Sequence, residues 1–246
     1  MITLNNPTKL NALTERLGET LTDRVKELRR ESSVRVAVLT GAGRAFSAGG
    51  DLDWLMARHR DTRDNNITVM QEFYKKFLVI RSLEVPVIAA INGPAIGAGL
   101  CLAVGGADIR VASHGAKMGV TFTKLGLHPG MAATHFLPAL VGPQMAAELL
   151  LTGRIVDSEE ALRLGLVSRL AEDAMDPARS IAHMICEAGP VSVRSLTKTL
   201  RDRQNIGLED TFRIEATAQA VCYPTKDFAE GVTALQEKRN PQFKGH

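Results

Sequence analysis

Two glycine-rich stretches of this sequence are suited to stabilise negative charge on an oxygen atom. The first, Asn92–Cys101 (NGPAIGAGLC), follows an apolar run, Val85–Ile91, that predicts a buried strand. It leads into Leu100–Val104, which predicts a helix. The glycine and alanine residues between them carry almost no side chain, so a ligand can approach the backbone closely. The first N–H groups of a helix lack intrahelical partners and lie at the positive end of its dipole, which favours an anionic oxygen there.

A second stretch has the same layout. Val34–Thr40 predicts a buried strand, and the sequence after it, GAGRAFSAGGDLDWL, contains the pair Gly49-Gly50. Asp51 then predicts the N-cap of a helix over Leu52–Met56. The shared order of strand, turn, small residues, paired glycines and helix indicates repeated units and a layered or spiral α/β fold. The alternative is that both stretches are only tight turns, which any α/β protein contains.

Other chemistries that use glycine-rich or metal-binding motifs do not fit. Gly41-Ala42-Gly43 follows a strand, but Phe46 stands where a dinucleotide fingerprint has its third glycine. The sequence contains no GxxxxGK[ST], GxSxG, HExxH or CxxC motif. The sequence therefore predicts no metal site and no bound dinucleotide.

Several elements must position these stretches. With 246 residues, 45% of them hydrophobic, the chain is long enough for one sizeable core. Thr14 predicts the N-cap of a helix that ends near Arg30, and Thr68–Leu83 predicts another helix. Arg58–Asn66 (RHRDTRDNN) is very polar and predicts a mobile surface loop. Beyond Pro177 the pattern is helical.

Breaks in that last region separate its helices. They occur at Gly189-Pro190, Gly207 and Pro224. We therefore divide the chain into a core, residues 1–175, and a C-terminal helical region, residues 176–246.

Composition indicates a cytoplasmic protein that neither enters a membrane nor binds nucleic acid. There is no run of about 18 apolar residues and no basic segment followed by an apolar one at the N-terminus. The three cysteines fit reduced thiols. The net charge is only +3, and the lysines and arginines are scattered rather than clustered. This mild basicity is compatible with a small ligand that carries phosphate.

The glycine-rich stretches resemble a known family. Phe46–Leu52 (FSAGGDL) and Asn92–Leu102 (NGPAIGAGLCL) are similar to the two oxyanion-hole segments of the crotonase (enoyl-CoA hydratase/isomerase) superfamily. The likeness extends to NNPTKLNAL, VAVLTGAGRAF, KLGLHPG, LLLTGR, ALRLGLV and EGVTALQEKRNPQFK, in the family's order over nearly the whole chain. The resemblance implies a crotonase-like α/β spiral of strand–strand–helix turns, with a C-terminal helical region that forms trimers, which pair into hexamers in some members.

The resemblance also implies a substrate and binding residues. The expected partner is an acyl-CoA thioester, whose CoA is part of the substrate, so no separate cofactor is expected. Gly50 and Ala98 would donate their backbone N–H groups to the thioester oxygen. Lys9 and Lys238 would contact the CoA phosphates, or else are solvated lysines, and Ala48 would contact the pantetheine–adenine part through its backbone.

The acid and base groups are where the sequence departs from the family pattern. Hydratases of the family carry two carboxylates, and the matching positions here are Cys101 and Phe122. Gly130 occupies a third position where relatives carry an aspartate. His128, in the GLHPG turn, is a candidate general base, or else a surface or capping residue. Cys101 is a second candidate, since the helix dipole would favour its thiolate, or else it is a packing residue.

These residues predict an enoyl-CoA hydratase/isomerase-like lyase or isomerase that stabilises a thioester enolate. Because all three familiar carboxylate positions are empty, we expect hydration of simple 2-enoyl-CoA to be slow and one-base isomerisation to be faster. Two alternatives are a thioester hydrolase, in which water attacks the carbonyl, and an acyl-CoA-binding relative without catalytic activity.

Overall fold

A computed structural model describes residues 1–245 of the chain. Seven strands occur in this range: β1 (Ile2–Leu4), β2 (Ala37–Gly41), β3 (Val87–Ile91), β4 (Ala95–Ile96), β5 (Ile109–Ser113), β6 (Met118–Gly119) and β7 (Leu170–Ala171). Five of them form a parallel sheet in the order β1-β2-β3-β5-β7, and β4 pairs with β6 in a small second sheet. Because the strand order follows the chain order, the backbone advances in one direction across the sheet. This is the α/β spiral that the repeated glycine-rich units predict.

Helices connect the strands and make up the C-terminal third. They are α1 (Glu15–Arg30), α2 (Leu52–His59), α3 (Arg63–Leu78), α4 (Ala98–Gly106), α5 (Ala133–Val141), α6 (Pro143–Thr152), α7 (Ser158–Arg163), α8 (Met175–Glu187), α9 (Pro190–Gln204), α10 (Leu208–Cys222) and α11 (Lys226–Gln236). Short 3₁₀ helices lie at Pro7–Lys9, Val79–Ser82 and Phe122–Leu125. Within residues 1–245 no helix is both long and apolar enough to cross a membrane.

The centre of the core consists of β3 and α4. All five residues of β3 and all nine of α4 are buried. A strand with neighbours on both sides and helices on both faces has no solvated face, so its sequence is continuously apolar rather than alternating. A helix that is apolar all round is likewise buried on every side. This packing fixes the start of α4, and with it the second glycine-rich stretch.

The predicted helix boundaries are confirmed where a capping residue marks them. The Thr14 and Asp51 side chains accept hydrogen bonds from the N–H groups of Leu17 and Trp54. The breaks in the C-terminal region also fall as expected, since α9 begins at Pro190 and α10 follows Gly207. Side-chain caps and helix-breaking residues act locally, so the sequence alone reveals them.

The prediction of a mobile loop over Arg58–Asn66 is wrong. Residues 58 and 59 end α2, and α3 begins at Arg63, capped by the Thr62 hydroxyl. Asn66 is fully buried and donates to the Arg58 carbonyl at 2.8 Å. The polar side chains here are used for caps and for helix–helix contacts, so the segment is ordered helical structure.

Candidate active site

The first glycine-rich loop is held by its neighbour at the N-terminus of the chain. The Leu13 N–H donates to the Gly49 carbonyl at 2.7 Å, and the Asp51 N–H donates to the Leu13 carbonyl at 3.2 Å. Leu13 and Gly50 thus form a parallel bridge through the Gly49 carbonyl and the Asp51 N–H, so the Gly50 N–H takes no part in this pairing.

The second loop is held against the first. The Ile96 N–H donates to the Ser47 carbonyl at 2.9 Å, and the Gly97 N–H donates to the Gly119 carbonyl at 2.8 Å. Gly97 has φ 55° and Gly49 has φ 97°, so both lie in the left-handed region that glycine adopts without strain. A methyl group at Gly49 would also come within 2.8 Å of the Ile96 carbonyl oxygen. The two loops therefore pack backbone to backbone.

Two N–H groups are left without acceptors by this arrangement. Ala98 is the first residue of α4, so its N–H has no partner within the helix. Among residues 1–245, neither the Ala98 N–H nor the Gly50 N–H donates to a protein acceptor. Both residues line the same cavity. The geometry is therefore compatible with two donors converging on one anionic oxygen, as an oxyanion hole requires.

Two connected spaces meet at these loops. We call the first, of about 450 Å³, the main cavity. It is lined by Ala48, Gly49, Gly50, Leu52, Leu55, Ile96, Gly97, Ala98, Thr121, Phe122, Lys124, Leu125, Leu127, Gly153, Arg154, Ile155, Gly231, Leu235, Arg239 and Pro241. The second, the side groove, has about 530 Å³ and includes Lys9, Leu10, Asp51 and Asp53. Ala48 and Gly50 belong to both, so the main cavity and the side groove are continuous past the donor at residue 50.

The main cavity has no carboxylate in its wall. Its lining residues within the described chain include no aspartate and no glutamate. Phe122, one of the two positions that the resemblance matched to a carboxylate, is part of the wall. Phe122 is packed against the core as a partly buried side chain and cannot transfer a proton.

Cys101 lies in the core rather than in the cavity wall. Its side chain is 1% exposed, on the buried helix α4. Burial raises the pKa of the Cys101 thiol well above its usual value, and the charge of Glu215 adds to the effect. The expectation that the helix dipole would favour a thiolate is therefore wrong, because the desolvation penalty outweighs the dipole.

His128 is positioned by its own turn. Its Nδ1 lies 2.7 Å from the Pro129 carbonyl oxygen, so Nδ1 carries the proton and donates this hydrogen bond. In a neutral ring Nε2 is then an acceptor. His128 follows Leu127, which lines the main cavity, but His128 itself is not in the cavity wall.

Lys9 and Asp51 form an ion pair beside the side groove. The Lys9 ammonium lies 2.8 Å from the Asp51 carboxylate and 3.9 Å from that of Asp53. Burial alone would raise the pKa of Asp51, but hydrogen bonds from Lys9 and from the Trp54 N–H hold it below its usual value. Asp51 is therefore an ionised N-cap, as predicted, rather than a base poised to accept a proton.

Lys238 lies outside both spaces. It follows α11, is exposed, and has a left-handed backbone with φ 56°. The residue beside it, Arg239, lines the main cavity instead.

A buried polar cluster lies behind the turn that carries His128. Glu215 is fully buried on α10 and accepts from the N–H groups of Ala132 (2.7 Å) and Thr134 (2.9 Å), and from the Thr134 hydroxyl. One turn further along α10, the Gln219 amide donates to the His128 carbonyl at 2.8 Å. The helix thus holds both ends of the turn between residues 128 and 134.

The same cluster explains why residue 130 is glycine. A methyl group on Gly130 would come within 2.5 Å of the Tyr74 hydroxyl and 2.8 Å of the Gln219 amide nitrogen. Tyr74 in turn donates to Gln219 Oε1 at 2.8 Å. The space next to residue 130 is therefore filled by buried hydrogen-bonded groups, which leave no room for a side chain.

Sequence reasoning identified some cavity residues and missed others. Gly50, Ala98, Ala48 and Phe122 all line the main cavity, and Lys9 lines the side groove. The cationic wall residues Lys124, Arg154 and Arg239 were not predicted. All three lie inside family-like segments, KLGLHPG, LLLTGR and EGVTALQEKRNPQFK, which was the available signal.

Comparisons with known proteins show the family to which the chain belongs. The family model described as enoyl-CoA hydratase/isomerase matches residues 1–246. A putative enoyl-CoA hydratase of Thermus thermophilus is 36% identical over 247 residues, which covers 99% of this chain and 96% of that protein. A putative enoyl-CoA hydratase/isomerase of Bacillus subtilis is 36% identical over 248 residues, covering 100% of this chain and 94% of that protein.

A solved structure gives the same result for the fold. The crystal structure of an enoyl-CoA hydratase from Mycobacterium avium subsp. paratuberculosis superposes with a TM-score of 0.85 at 27% identity, and covers 98% of this chain and 93% of that one. The chain therefore belongs to the enoyl-CoA hydratase/isomerase family and has the crotonase fold. It is an acyl-CoA-binding enzyme of that family.

Proposed function

We propose that this enzyme binds an acyl-CoA thioester in the main cavity and stabilises its enolate oxygen with the N–H groups of Gly50 and Ala98. A thioester carbonyl gains negative charge when its α-carbon is deprotonated or its β-carbon is attacked. Two preorganised donors suit that charge, at about 3–4 kcal/mol for each donor. The observation that carries the proposal is the pair of N–H groups without protein acceptors in one cavity wall.

The side groove would hold the CoA moiety, which is part of the substrate, and no further cofactor takes part in this proposal. Lys9 is the cation nearest this path, and Ala48 offers backbone where the groove meets the main cavity. Because Asp51 already neutralises Lys9, a phosphate would have to share or displace that ion pair. Lys238 would reach the phosphates of a CoA bound to a neighbouring subunit, which fits its exposed position outside both spaces.

The reaction we propose is proton transfer between carbon atoms of the enolate, as in isomerisation, rather than efficient hydration. Hydration must deliver hydroxide to Cβ and a proton to Cα, and each acid or base group contributes about 10²–10⁴-fold. No carboxylate lines the main cavity within the described residues, and Phe122 supplies none. Isomerisation needs a single base, and the relative from Bacillus subtilis is named for both activities.

His128 is the better of the two candidate bases. With its proton on Nδ1, the neutral form of the ring has an acceptor at Nε2, whereas Cys101 would have to ionise in an apolar core. It is also adjacent in sequence to Leu127, a residue of the cavity wall. Cys101 then serves packing in α4.

The test combines binding with product analysis. Calorimetry should detect binding of butyryl-CoA to the folded protein, and the absence of affinity for any acyl-CoA would refute the proposal. Incubation with crotonyl-CoA, a 3-enoyl-CoA and a saturated acyl-CoA then separates the reactions, because the products are hydroxyacyl-CoA, a shifted double bond or free CoA. We expect the shifted double bond to form fastest. A kcat/KM for crotonyl-CoA hydration above about 10⁶ M⁻¹s⁻¹ would contradict slow hydration.

We also propose that the protein assembles as a trimer through its C-terminal helices, with pairing into hexamers as an option. Apolar side chains are exposed on α9 and α10, among them Val191, Leu196, Leu200 and Ile214. Exposed apolar surface of this kind is typical of subunit interfaces.

A further inference from the structure

Cationic side chains in the wall of the main cavity bear on which acyl groups the cavity prefers. The wall is mostly apolar, but it contains the charged residues Lys124, Arg154 and Arg239. No acidic residue of the described chain lies in that wall to balance them. Whether a cation is available to a ligand depends on its ion pairs within the protein.

Both arginines are already engaged. Arg154 donates to Glu148 at 2.7 Å and lies 2.8 Å from the Glu160 carboxylate. Arg239 lies 2.5 Å from Glu230 and also pairs with a second glutamate, its near neighbour in sequence. Each guanidinium thus has two carboxylate partners, and neither has net charge left for a substrate anion.

Lys124 differs from them. Within residues 1–245 its ammonium group forms no ion pair and no hydrogen bond with the protein. Its stem lies against Gly153, where a methyl group would come within 3.1 Å of Lys124 Cγ. The absence of a side chain at residue 153 therefore gives the stem a defined place along the cavity wall.

The position of Lys124 relates it to the acyl part of a thioester. It belongs to the same 3₁₀ helix as Phe122, whose ring is in the cavity wall. The start of that helix faces the second glycine-rich loop, since a methyl group at Gly97 would lie 3.8 Å from Thr121 Oγ1. Lys124 lines only the main cavity, whereas Lys9 lines only the side groove assigned to CoA.

We infer that the preferred acyl group carries a carboxylate at its far end, and that Lys124 binds this carboxylate in the main cavity. The inference rests on the proposed function, in which the carbonyl of a CoA thioester lies at the N–H groups of Gly50 and Ala98. The apolar wall then surrounds the methylene groups between the thioester and the terminal carboxylate. The terminal carboxylate is the anion that the unpaired ammonium group lacks, and because Lys124 is exposed their attraction is that of a solvated ion pair.

The test uses pairs of thioesters that differ only in a terminal carboxylate or methyl group. Glutaryl-CoA is compared with valeryl-CoA, and adipyl-CoA with hexanoyl-CoA, by calorimetry at low and at high salt. We expect at least one diacid thioester to bind about fivefold or more tightly than its methyl partner, an advantage that shrinks at high salt. Lys124→Met should abolish this advantage, so that each diacid thioester binds no more tightly than its methyl partner, while Lys124→Arg should retain it.

The matched control is Lys117→Met, which removes an exposed lysine before β6 that lies outside the cavity wall. It should keep the wild-type preference. Equal affinity of the wild type for both members of every pair would overturn the inference. The inference would also be overturned if Lys124→Met lowered the affinity for the diacid and the methyl-terminated thioesters by the same factor, since Lys124 would then contact the CoA moiety. The thioesters that end in a methyl group test the proposed function separately. If neither they nor the diacid thioesters bound to the folded protein, the proposed function itself would fail.

Discussion

At the scale of single residues, Ala98 permits a test of one backbone donor. It is the first residue of α4, where proline is tolerated because no intrahelical hydrogen bond is lost. Ala98→Pro should therefore keep the fold but remove one N–H from the site. We expect the turnover of the substrate that the enzyme processes best to fall by about 100-fold or more.

Ala98→Ser is the control for this change, since it alters the side chain and keeps the N–H. It should retain most of the activity, and thermal unfolding of both variants shows whether the fold is intact. A folded Ala98→Pro variant with wild-type turnover would contradict the role of this donor.

Glu215 is a buried titratable residue behind the site. Burial raises its pKa to about 7, against the hydrogen bonds from Thr134 and Ala132 that favour the charged form. The folded protein thus binds this proton more tightly than the unfolded chain, whose glutamates titrate near 4.5. Stability from this group is fully present below pH 4.5 and is lost as the pH rises through 7.

Glu215→Gln should remove that pH dependence. The wild-type free energy of unfolding should fall by about 3 kcal/mol between pH 4.5 and pH 8 relative to the variant. The measurement is denaturant unfolding at several pH values. Glu209→Gln, at the exposed start of the same helix, is the control and should follow the wild-type curve. Parallel curves for the wild type and Glu215→Gln would contradict the assignment.

At the scale of elements, α10 is the support of the turn between residues 128 and 134. Gln219 accepts from the Tyr74 and Tyr223 hydroxyls at 2.8 and 3.3 Å and donates to the His128 carbonyl. Gln219→Leu would leave the Tyr74 hydroxyl and the His128 carbonyl without these partners, at about 1–3 kcal/mol for each, whereas the Tyr223 hydroxyl would keep its contact with Met70 Sδ. We expect a loss of about 3 kcal/mol or more in the free energy of unfolding.

Thr217→Ala on the same helix provides the comparison. Among residues 1–245 the Thr217 hydroxyl bonds only to the Arg213 carbonyl of its own helix, so its removal should cost about 0.5 kcal/mol or less. Chemical denaturation measures both variants. Equal stability of Gln219→Leu and the wild type would show that α10 does not support the turn.

The elements also show what local sequence determines. Caps such as Thr14 and Asp51 are predictable because the capping side chain and the N–H that it binds are three residues apart. The segment Arg58–Asn66 was mispredicted because its polar residues were interpreted as solvated, whereas they pair locally, as when the Thr62 hydroxyl caps the Asn65 N–H. Asn66 of α3 is buried and donates to a carbonyl of α2, although asparagine usually lies at the surface.

Some residues of the candidate site could likewise be predicted from local sequence, and others could not. Gly50 and Ala98 were predictable because their N–H groups follow from motifs that are contiguous in the chain. For Cys101 the sequence offered both a thiolate base and a packing residue and could not decide between them, because burial depends on the distant segments that surround α4. Glu215 and Gln219 gave no signal, since the turn residues that they hold lie more than 80 residues away in the chain.

At the scale of the whole molecule, the C-terminal helices are less well covered than the core. Val191 is 81% exposed and Leu196 is 59% exposed, on the same helix α9. Between α8 and α9 lies an apolar groove of about 440 Å³, lined by residues such as Ile181, Met184 and Leu200. Burial of one such side chain contributes about 1.5–3 kcal/mol, so a surface of this kind favours association with another subunit.

Sedimentation velocity at micromolar concentration should therefore find trimers or hexamers rather than monomers. Leu196 and Leu200 lie one helical turn apart and are both more than half exposed, so the double substitution to glutamate should not disturb the core of the subunit. It should shift the protein toward monomers, because charged side chains would lose hydration in a subunit interface. Leu162→Glu on α7, outside the C-terminal helices, is the control and should leave the assembly intact. Sedimentation of the wild-type protein only as a monomer would contradict the proposed trimer. It would also contradict the proposed role of Lys238, which depends on a neighbouring subunit.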